Sequence, residues 1–411
     1  MDINSLSPGK RAVVHRARLL TEFEWTPLRD VPTYTKKTGK TTFPAGKPVK
    51  GMIYSSTEPT DKFICENISL ETLSTIINNP DSALYCKDNG GHRNSWPYFG
   101  VVCNGLVRYA LNIRRRYSTK RWLTVPGIHK IFEASTYTVD QLEVCDVLYT
   151  HGEARSHVAL ITDLIHDGNG KVNQVEVSEA IRPSCVRRVF TAEEFYEKFK
   201  IYAICRYDYI DSVPEPDENE ILFATKKQSS QLPDIALDYG NKTNYRTNED
   251  VVISVFREEK NEVEIACNGK LLETIHIDGR GKVSRRFEKG YYTARLASTG
   301  ETLEFCVTEP EISHSVKDGK ITIRANSNDS ESSILYMEFR EKTRSKFAEE
   351  NNQTLNVYCN PCCSALAKLE ELTEEEKSTG VFSREIAEDA YNFKVYFENK
   401  YGRWTHTMIE I

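Results

Sequence analysis

Hydrophobic positions in the first part of the chain follow two different periods. Apolar residues recur with helical spacing over residues 10–20, 68–77 and 102–113, and Ser69 is suited to cap the second of these helices. After residue 145 the pattern becomes that of strands, which it predicts at 146–150, 157–164, 171–179 and 201–207. Helices followed by an antiparallel sheet are typical of an α+β domain.

From about residue 235 the apolar positions alternate in short runs with polar turns between them. The runs at 251–256, 262–267, 270–277, 282–287, 291–297 and 301–307 predict an immunoglobulin-like β-sandwich. A second sandwich is expected from 320–325, 334–340, 354–359, 393–399 and 407–411. The Glu-, Leu- and Lys-rich segment 364–379 predicts a helix inserted in this second sandwich.

Chain length supports several domains, because 411 residues exceed what one hydrophobic core usually serves. The polar and Pro-rich segments 212–217 and 226–233 indicate turns or linkers. We therefore predict a catalytic domain over 1–225, a sandwich over 235–310 and a second sandwich over 311–411.

Composition and charge exclude several classes of function. Hydrophobic residues make up 39%, charged residues 28%, and the net charge of −6 gives no general reason to bind nucleic acid. No apolar run reaches the roughly 20 residues of a membrane span. The first residues lack the apolar core of a signal peptide, so we expect a cytoplasmic protein, or a mature or trimmed form that belongs to the cell envelope or is secreted.

Eleven cysteines in irregular positions do not resemble the paired framework of a small secreted domain. The segment 359–363 contains a CxxC, but a metal site needs two further ligands, and His406 is the only histidine downstream. A metal or redox function is therefore not expected there, and we expect neither a metal nor a cofactor in this protein.

Cys103 is the candidate nucleophile. It is expected at the start of a helix, where unpaired N–H groups and the helix dipole favour the thiolate. Asn104 and Gly105 follow it and leave room for a substrate carbonyl to approach. The backbone N–H of Cys103 is suited to an oxyanion hole.

His157 is the candidate base, because it begins a predicted strand that can reach the end of the Cys103 helix. The turn 167–170 closes a hairpin with the next strand, and a turn centre near Gly168 places His157 opposite Glu179 and Ile161 opposite Val175. Glu179 is therefore the candidate that orients the imidazole, with Glu176 as the alternative.

These motifs resemble a known family. Cys-Asn-Gly-Leu-Val at 103–107, Asp-Val-Leu at 146–148 and Ser-His-Val-Ala-Leu-Ile at 156–161 are similar to motifs of the NlpC-type, papain-like bacterial cell-wall cysteine peptidases. The segment 51–56 resembles a further motif upstream of the nucleophile, and the likeness covers about residues 45–208. It implies an α+β papain-like domain, with the nucleophile carried by a helix that packs on an antiparallel sheet.

The resemblance also implies an activity. Members hydrolyse amide bonds of peptidoglycan stem peptides through a thioester, without a metal, so the substrate would be peptidoglycan or a muropeptide. Cys103, His157 and Glu179 would be catalytic, and Tyr54 and Asn104 would bind substrate. Val102 stands where many members have the aspartate that holds the substrate amine.

Two other functions remain open. One is an inactive binding or adhesion protein built from sandwich modules, which would bind a polymer or a protein partner. The other is acyl transfer, or hydrolysis of an amide outside the cell wall.

Overall fold

The structure is a computed structural model, and it describes residues 5–32, 41–54, 70–86, 100–114, 117, 119–152, 156–229, 231–327, 329, 331–341, 367–370, 372–385, 390–402 and 404–410. These residues form two compact units. The first consists of the described parts of Met1–Thr57, Ile68–Ser74 and Asp88–Gln228. The second consists of the described parts of Thr75–Lys87 and Ser229–Ile411.

The α-helices of the described residues are short apart from the first. They are α1 (Pro8–Thr21), α2 (Leu70–Asn78), α3 (Ala83–Cys86), α4 (Cys103–Ala110), α5 (Ala192–Phe199), α6 (Glu218–Thr225) and α7 (Glu374–Thr379). Short stretches of 3-10 helix occupy Thr119–Thr124, Val139–Gln141 and Ile210–Ser212.

Strands dominate the rest of the structure. In the first unit they are β1 (Glu24–Trp25), β2 (Val31–Pro32), β3 (Thr41–Phe43), β4 (Val49–Lys50), β5 (Ile128–Phe132), β6 (Val147–His151), β7 (Ser156–His166), β8 (Val172–Ala180), β9 (Cys185–Thr191) and β10 (Ala203–Tyr207). In the second unit they are β11 (Ile235–Leu237), β12 (Thr243–Tyr245), β13 (Val251–Val255), β14 (Lys260–Cys267), β15 (Lys270–Asp278), β16 (Gly281–Arg285), β17 (Gly290–Leu296), β18 (Thr302–Val307), β19 (Glu311–Lys317), β20 (Lys320–Asn326), β21 (Ser333–Glu341), β22 (Ala367–Glu370), β23 (Val381–Glu385), β24 (Ala390–Glu398) and β25 (Trp404–Glu410).

A six-stranded antiparallel sheet organises the first unit, in the order β5-β10-β6-β7-β8-β9. Its central strands are apolar on both faces, and Val158 to Ile161 are buried without a break. Such a run indicates that both faces are covered. Helices α1 and α4 pack on each other, and α4 also packs on β7 and β8.

Helix α1 begins where the sequence supplies a cap. The Ser7 hydroxyl accepts a hydrogen bond from the Lys10 backbone N–H at 3.4 Å, and Pro8 occupies the first helical turn, where a missing N–H costs nothing. Ala12, Val13 and Ala17 are fully buried. The helix is therefore held by its apolar stripe rather than by its ends.

Two immunoglobulin-like sandwiches make up most of the second unit. The first pairs the sheet β11-β13-β16 with the sheet β12-β18-β17-β14-β15, and the second pairs β19-β20-β23 with β22-β21-β24-β25. Tyr292 stacks on Phe305 at 5.1 Å between ring centroids in the first core. The second core is formed by alternating apolar residues from facing strands, including Ile321, Phe382 and Phe393.

The predicted fold class is wrong. Strands account for 41% and helices for 23% of the structure, and the described residues show no papain-like α+β catalytic domain. The prediction inferred the class of a whole domain partly from the helical patterns at 10–20 and 102–113. The second of these helices has only eight residues in the structure. Sheets provide most of the regular backbone in the second unit, and over the whole structure strands outnumber helices, so the protein is predominantly a β structure with immunoglobulin-like sandwiches.

Residues 364–379 do not form one inserted helix. The structure has strand β22 over Ala367–Glu370, paired with β21, and the short helix α7 only from Glu374. Thr373 and Glu376 form a capping box that starts this helix late. The predicted strand at 354–359 and the cap at Ser69 lie outside the described residues.

The predicted register of the hairpin between β7 and β8 is wrong by two residues. Ile161 faces Val177 rather than Val175, and the ladder shifts again next to Thr162. The Asp167 side chain accepts hydrogen bonds from the backbone N–H groups of Asn169 (2.8 Å) and Lys171 (3.0 Å), which moves the centre of the turn to Asn169. An even shift leaves every side chain on its original face.

Among the described residues, no helix combines the length and the apolar character that crossing a bilayer requires.

Candidate active site

Cys103 is the first residue of α4, as the helical pattern predicted. The preceding Val102 has extended backbone and offers no side-chain cap, so the N–H groups of the first turn stay oriented toward the helix start. Val101 forms a bridge with Tyr54, and its N–H donates to the Ile53 carbonyl at 2.9 Å. These backbone contacts hold the entry to the helix, and with it the sulfur.

His157 lies in β7 and contacts two groups of the site. It acts on the Cys103 thiol by hydrogen bonding and charge, which lowers the pKa of that thiol, and its Nε2 lies 2.9 Å from Oε2 of Glu179. Because Nε2 is engaged by the carboxylate, Nδ1 is the nitrogen that remains for the thiol. The Tyr202 ring lies edge-on to the imidazole at 6.2 Å and limits its rotation. The imidazole is therefore hydrogen-bonded to the carboxylate and also acts on the thiol.

Glu179 lies in β8, and its side chain has no exposed surface. The other carboxylate oxygen accepts a hydrogen bond from the Arg188 guanidinium, and the Lys198 ammonium lies 3.5 Å from it. Burial acts to raise the pKa of Glu179, but the hydrogen bonds from His157 and Arg188, together with their charges, lower it to about 2. The residue is therefore a carboxylate at any physiological pH.

The thiol and imidazole shift each other toward the charged pair. Burial acts to raise the pKa of Cys103, but the hydrogen bond and the charge of His157 outweigh it, assisted by the Val158 backbone N–H and the Thr119 hydroxyl, and the pKa falls below its usual value. Burial acts to lower the pKa of His157, but Cys103 and Glu179 raise it to about 9. Both shifts favour a thiolate beside an imidazolium, which is the reactive form of such a pair.

Tyr54 is held next to the nucleophile by two neighbouring segments. Its N–H donates to the Pro183 carbonyl at 2.8 Å, and Gly51, at φ +91°, allows the chain to approach Cys185 so closely that a Cβ would lie 1.9 Å from the Cys185 carbonyl oxygen. Burial and the nearby Cys103 raise the pKa of Tyr54 to about 12. Its hydroxyl therefore stays protonated and can donate a hydrogen bond beside the sulfur.

Asn104 is placed differently from Tyr54. Its side chain is buried, and its amide donates to the backbone carbonyl of Tyr117. This contact ties the first turn of α4 to the segment before Thr119–Thr124. The predicted role of Asn104 in substrate binding stays a prediction.

Glu179, and not the alternative Glu176, contacts the imidazole. The corrected register continues from the Leu160–Ser178 pair, so His157 lies diagonal to Glu179 on the same face of the sheet. Glu176 points to the opposite face, where it accepts hydrogen bonds from Thr162 (2.9 Å) and Arg187 (3.0 Å).

Three residues of the site were missed at the level of sequence. Arg188 and Lys198 hold the carboxylate, and the Thr119 hydroxyl lies 3.7 Å from the Cys103 sulfur. The sequence does contain a signal for Arg188. Strand β8 carries Glu176 and Glu179, and the next strand, β9, carries Arg187 and Arg188, which point to opposite faces of the sheet, so each arginine can reach one glutamate. Lys198 and Thr119 are brought in by α5 and a 3-10 helix, and no spacing rule indicates them.

The described residues contain no group of three or more His, Cys, Asp or Glu side chains arranged to hold a metal ion. The CxxC at 359–363 lies outside the described residues.

Comparisons with known proteins assign no family. No family model and no curated protein matches the chain. Similar solved structures include native alpha-2-macroglobulin from Escherichia coli spanning domains NIE-MG1 (TM-score 0.17, 11% identity, 44% of this chain and 99% of that chain). Fibronectin(III)-like modules of CbhA from Clostridium thermocellum (0.16, 14%, 43% and 92%) and the extracellular domains 3–5 of Drosophila OTK (0.16, 12%, 43% and 65%) are also similar. Likeness at this level carries no argument about function, so the chemistry of the site has to supply it.

Proposed function

We propose that the first unit is a cysteine hydrolase that cleaves an amide bond, with Cys103 as nucleophile, His157 as base and Glu179 as the residue that orients the imidazole. The observation that carries the proposal is the grouping of three side chains: His157 lowers the pKa of the Cys103 thiol, and its Nε2 lies 2.9 Å from the buried Glu179 carboxylate. Nucleophile, base and orienting group in contact are the arrangement that nucleophilic catalysis requires.

The reaction runs in two halves. The Cys103 thiolate attacks the amide carbonyl, and the N–H groups at the start of α4 and the Tyr54 hydroxyl are placed to stabilise the oxyanion. The C–N bond breaks as the His157 imidazolium gives its proton to the leaving amine, which leaves a thioester on Cys103. His157 then takes a proton from water, the resulting hydroxide attacks the thioester, and the acid is released as the thiol re-forms.

Peptidoglycan stem peptides are the proposed substrate. The motifs at 103–107, 146–148 and 156–161 support this class, because they resemble those of NlpC-type cell-wall peptidases in order and spacing. The two immunoglobulin-like sandwiches would position the first unit on such a polymer.

The experiment is a digest of purified peptidoglycan by the full chain, followed by mass spectrometry of the fragments. We expect new muropeptide termini with the wild type, none with Cys103→Ala, and a rate lower by about 10²- to 10⁴-fold with His157→Ala. Cys306→Ala is the matched control, because Cys306 is also buried, in the second unit, and has no imidazole partner among the described residues. It should cut like the wild type.

A second candidate function is a binding protein, favoured by the two immunoglobulin-like sandwiches of the second unit. The same experiment separates the candidates when Cys103 alkylation is measured beside it. Unchanged muropeptides with a reactive Cys103 would favour acyl transfer or a substrate outside the wall. Unchanged muropeptides with an inert Cys103 would favour the binding protein.

A further inference from the structure

The nucleophile has a cationic neighbour that the catalytic series does not use. Arg182 precedes Pro183, whose carbonyl accepts the Tyr54 N–H at 2.8 Å, and the next residue, Ser184, forms a bridge with Ile53. Tyr54 in turn forms a bridge with Val101 at the entry to the Cys103 helix. The backbone thus places Arg182 one strand away from the nucleophile.

The Arg182 side chain is exposed and forms no ion pair within the described part of the chain. Its charge acts on the Tyr54 hydroxyl, the same group on which Cys103 acts. The Cys103 sulfur and the Arg182 guanidinium therefore both act on the Tyr54 hydroxyl, and the guanidinium lies on the solvent side.

Among the residues that the structure describes, the remaining charges of the site do not offset Arg182. Glu179 is fully buried and is matched by Arg188 and Lys198, and the thiolate and imidazolium of Cys103 and His157 sum to zero. Val102, immediately before the nucleophile, carries no charge. Together with the exposed Arg182, these described groups carry a net positive charge, which attracts an anion and repels a cationic amine.

We propose that Arg182 is a specificity residue that binds a carboxylate of the substrate beside the scissile carbonyl. This inference rests on the proposed function and refines it. The substrate then carries a negative charge within reach of a guanidinium, which forms short, charge-assisted hydrogen bonds to a carboxylate. An amide whose neighbouring group is a free ammonium is a poor substrate.

The test compares two alkylating reagents of similar size, anionic iodoacetate and neutral iodoacetamide, by the rate at which each modifies Cys103 near neutral pH in the full chain. Arg182→Gln should lower the ratio of the iodoacetate rate to the iodoacetamide rate by about threefold to fivefold at low salt, and Arg182→Glu should lower it further. High salt should shrink the difference, because exposed charges are screened. The iodoacetamide rate reports on folding and on the thiolate in each variant.

Lys171→Gln is the matched control. It removes one exposed cation from the same unit, at the far end of the β7–β8 hairpin and about 30 Å from His157 along the strand. Its reagent ratio should equal that of the wild type. A ratio unchanged in Arg182→Gln overturns the carboxylate site and leaves the proposed function intact, as does an equal loss of both rates. A Cys103 inert to both reagents in the wild type overturns both.

Discussion

Two buried thiols, one in each unit, show what separates a reactive cysteine from a packing residue. Cys103 and Cys306 are both buried and both accept or donate hydrogen bonds. Cys306 lies in β18 beside Asn244 and Asn399, and its burial raises the pKa to about 12 although the Asn399 contact acts in the opposite direction. Cys103 has an imidazole partner, and its pKa is lowered.

The difference therefore lies in the partner and not in the burial. An amide can donate a hydrogen bond to a thiolate but carries no charge. An imidazolium donates a hydrogen bond and also carries a positive charge that stabilises the thiolate. Other buried cysteines of the first unit agree, because burial raises the pKa of Cys205 to about 12 and that of Cys145 and Cys185 still further. The charges of Lys10 and Lys130 act on Cys145 and Cys205 without reversing this rise, whereas His157 acts on Cys103 by hydrogen bonding as well as by charge.

The largest expected effect breaks the comparison directly. In the folded protein near pH 7, iodoacetamide should modify Cys103 and leave Cys306 unmodified, because only Cys103 has a lowered pKa. Mass spectrometry of tryptic peptides locates the label. Cys103→Ala should remove the label from the peptide that carries residue 103, and Cys306→Ala should leave the labelling of Cys103 unchanged. Equal labelling of both thiols without unfolding would show that the partner does not decide reactivity.

A smaller effect is expected when the charge behind the imidazole is removed. Glu179→Gln should lower the pKa of His157 from about 9, because it removes one of the two groups that raise it, and should slow hydrolysis about 10- to 100-fold. Titration of the His157 ring by NMR measures the first effect. Glu176→Gln is the matched control, since Glu176 is a buried carboxylate of the same strand on the other face. The proposed roles would be exchanged if the Glu176 variant moved the His157 titration and the Glu179 variant did not.

Glu179 should also affect stability with a defined dependence on pH. Its pKa is about 2 in the folded protein and 4.5 ordinarily, so its contribution is complete above pH 4.5 and is lost as the pH falls toward 2. In Glu179→Gln, Arg188 and Lys198 lose their carboxylate, which we expect to cost about 3 kcal/mol at neutral pH. Urea denaturation at several pH values checks this. A loss that persisted unchanged at low pH would contradict the ionic origin of the stabilisation.

The sequence indicated the central residues of the site but not all of the side chains that contact them. Cys103 at a helix start and His157 at a strand start follow from local periodicity, and the even period of a strand kept Glu179 on the face of His157 although the register was wrong. Lys198 and Thr119 reach the site through tertiary packing, which no local pattern encodes. The prediction of the fold class was wrong for a related reason, because short motifs indicate the residues of a site but do not determine the architecture around it.

The smallest expected effect concerns Thr119. It is an uncharged partner of Cys103, as Asn399 is of Cys306, so its removal tests how much an uncharged contact contributes to the difference between the two thiols. Thr119→Val removes one hydroxyl contact to the Cys103 sulfur, which lies 3.7 Å away, and leaves the imidazole in place. A hydrogen bond of this kind contributes about 1 kcal/mol, so the iodoacetamide rate below the Cys103 pKa should fall about fivefold. The pH–rate profile should move to higher pH, and Thr119→Ser should restore it. If the serine variant behaved like the valine variant, the hydroxyl would be a packing group, and His157 alone would account for the difference between the two thiols.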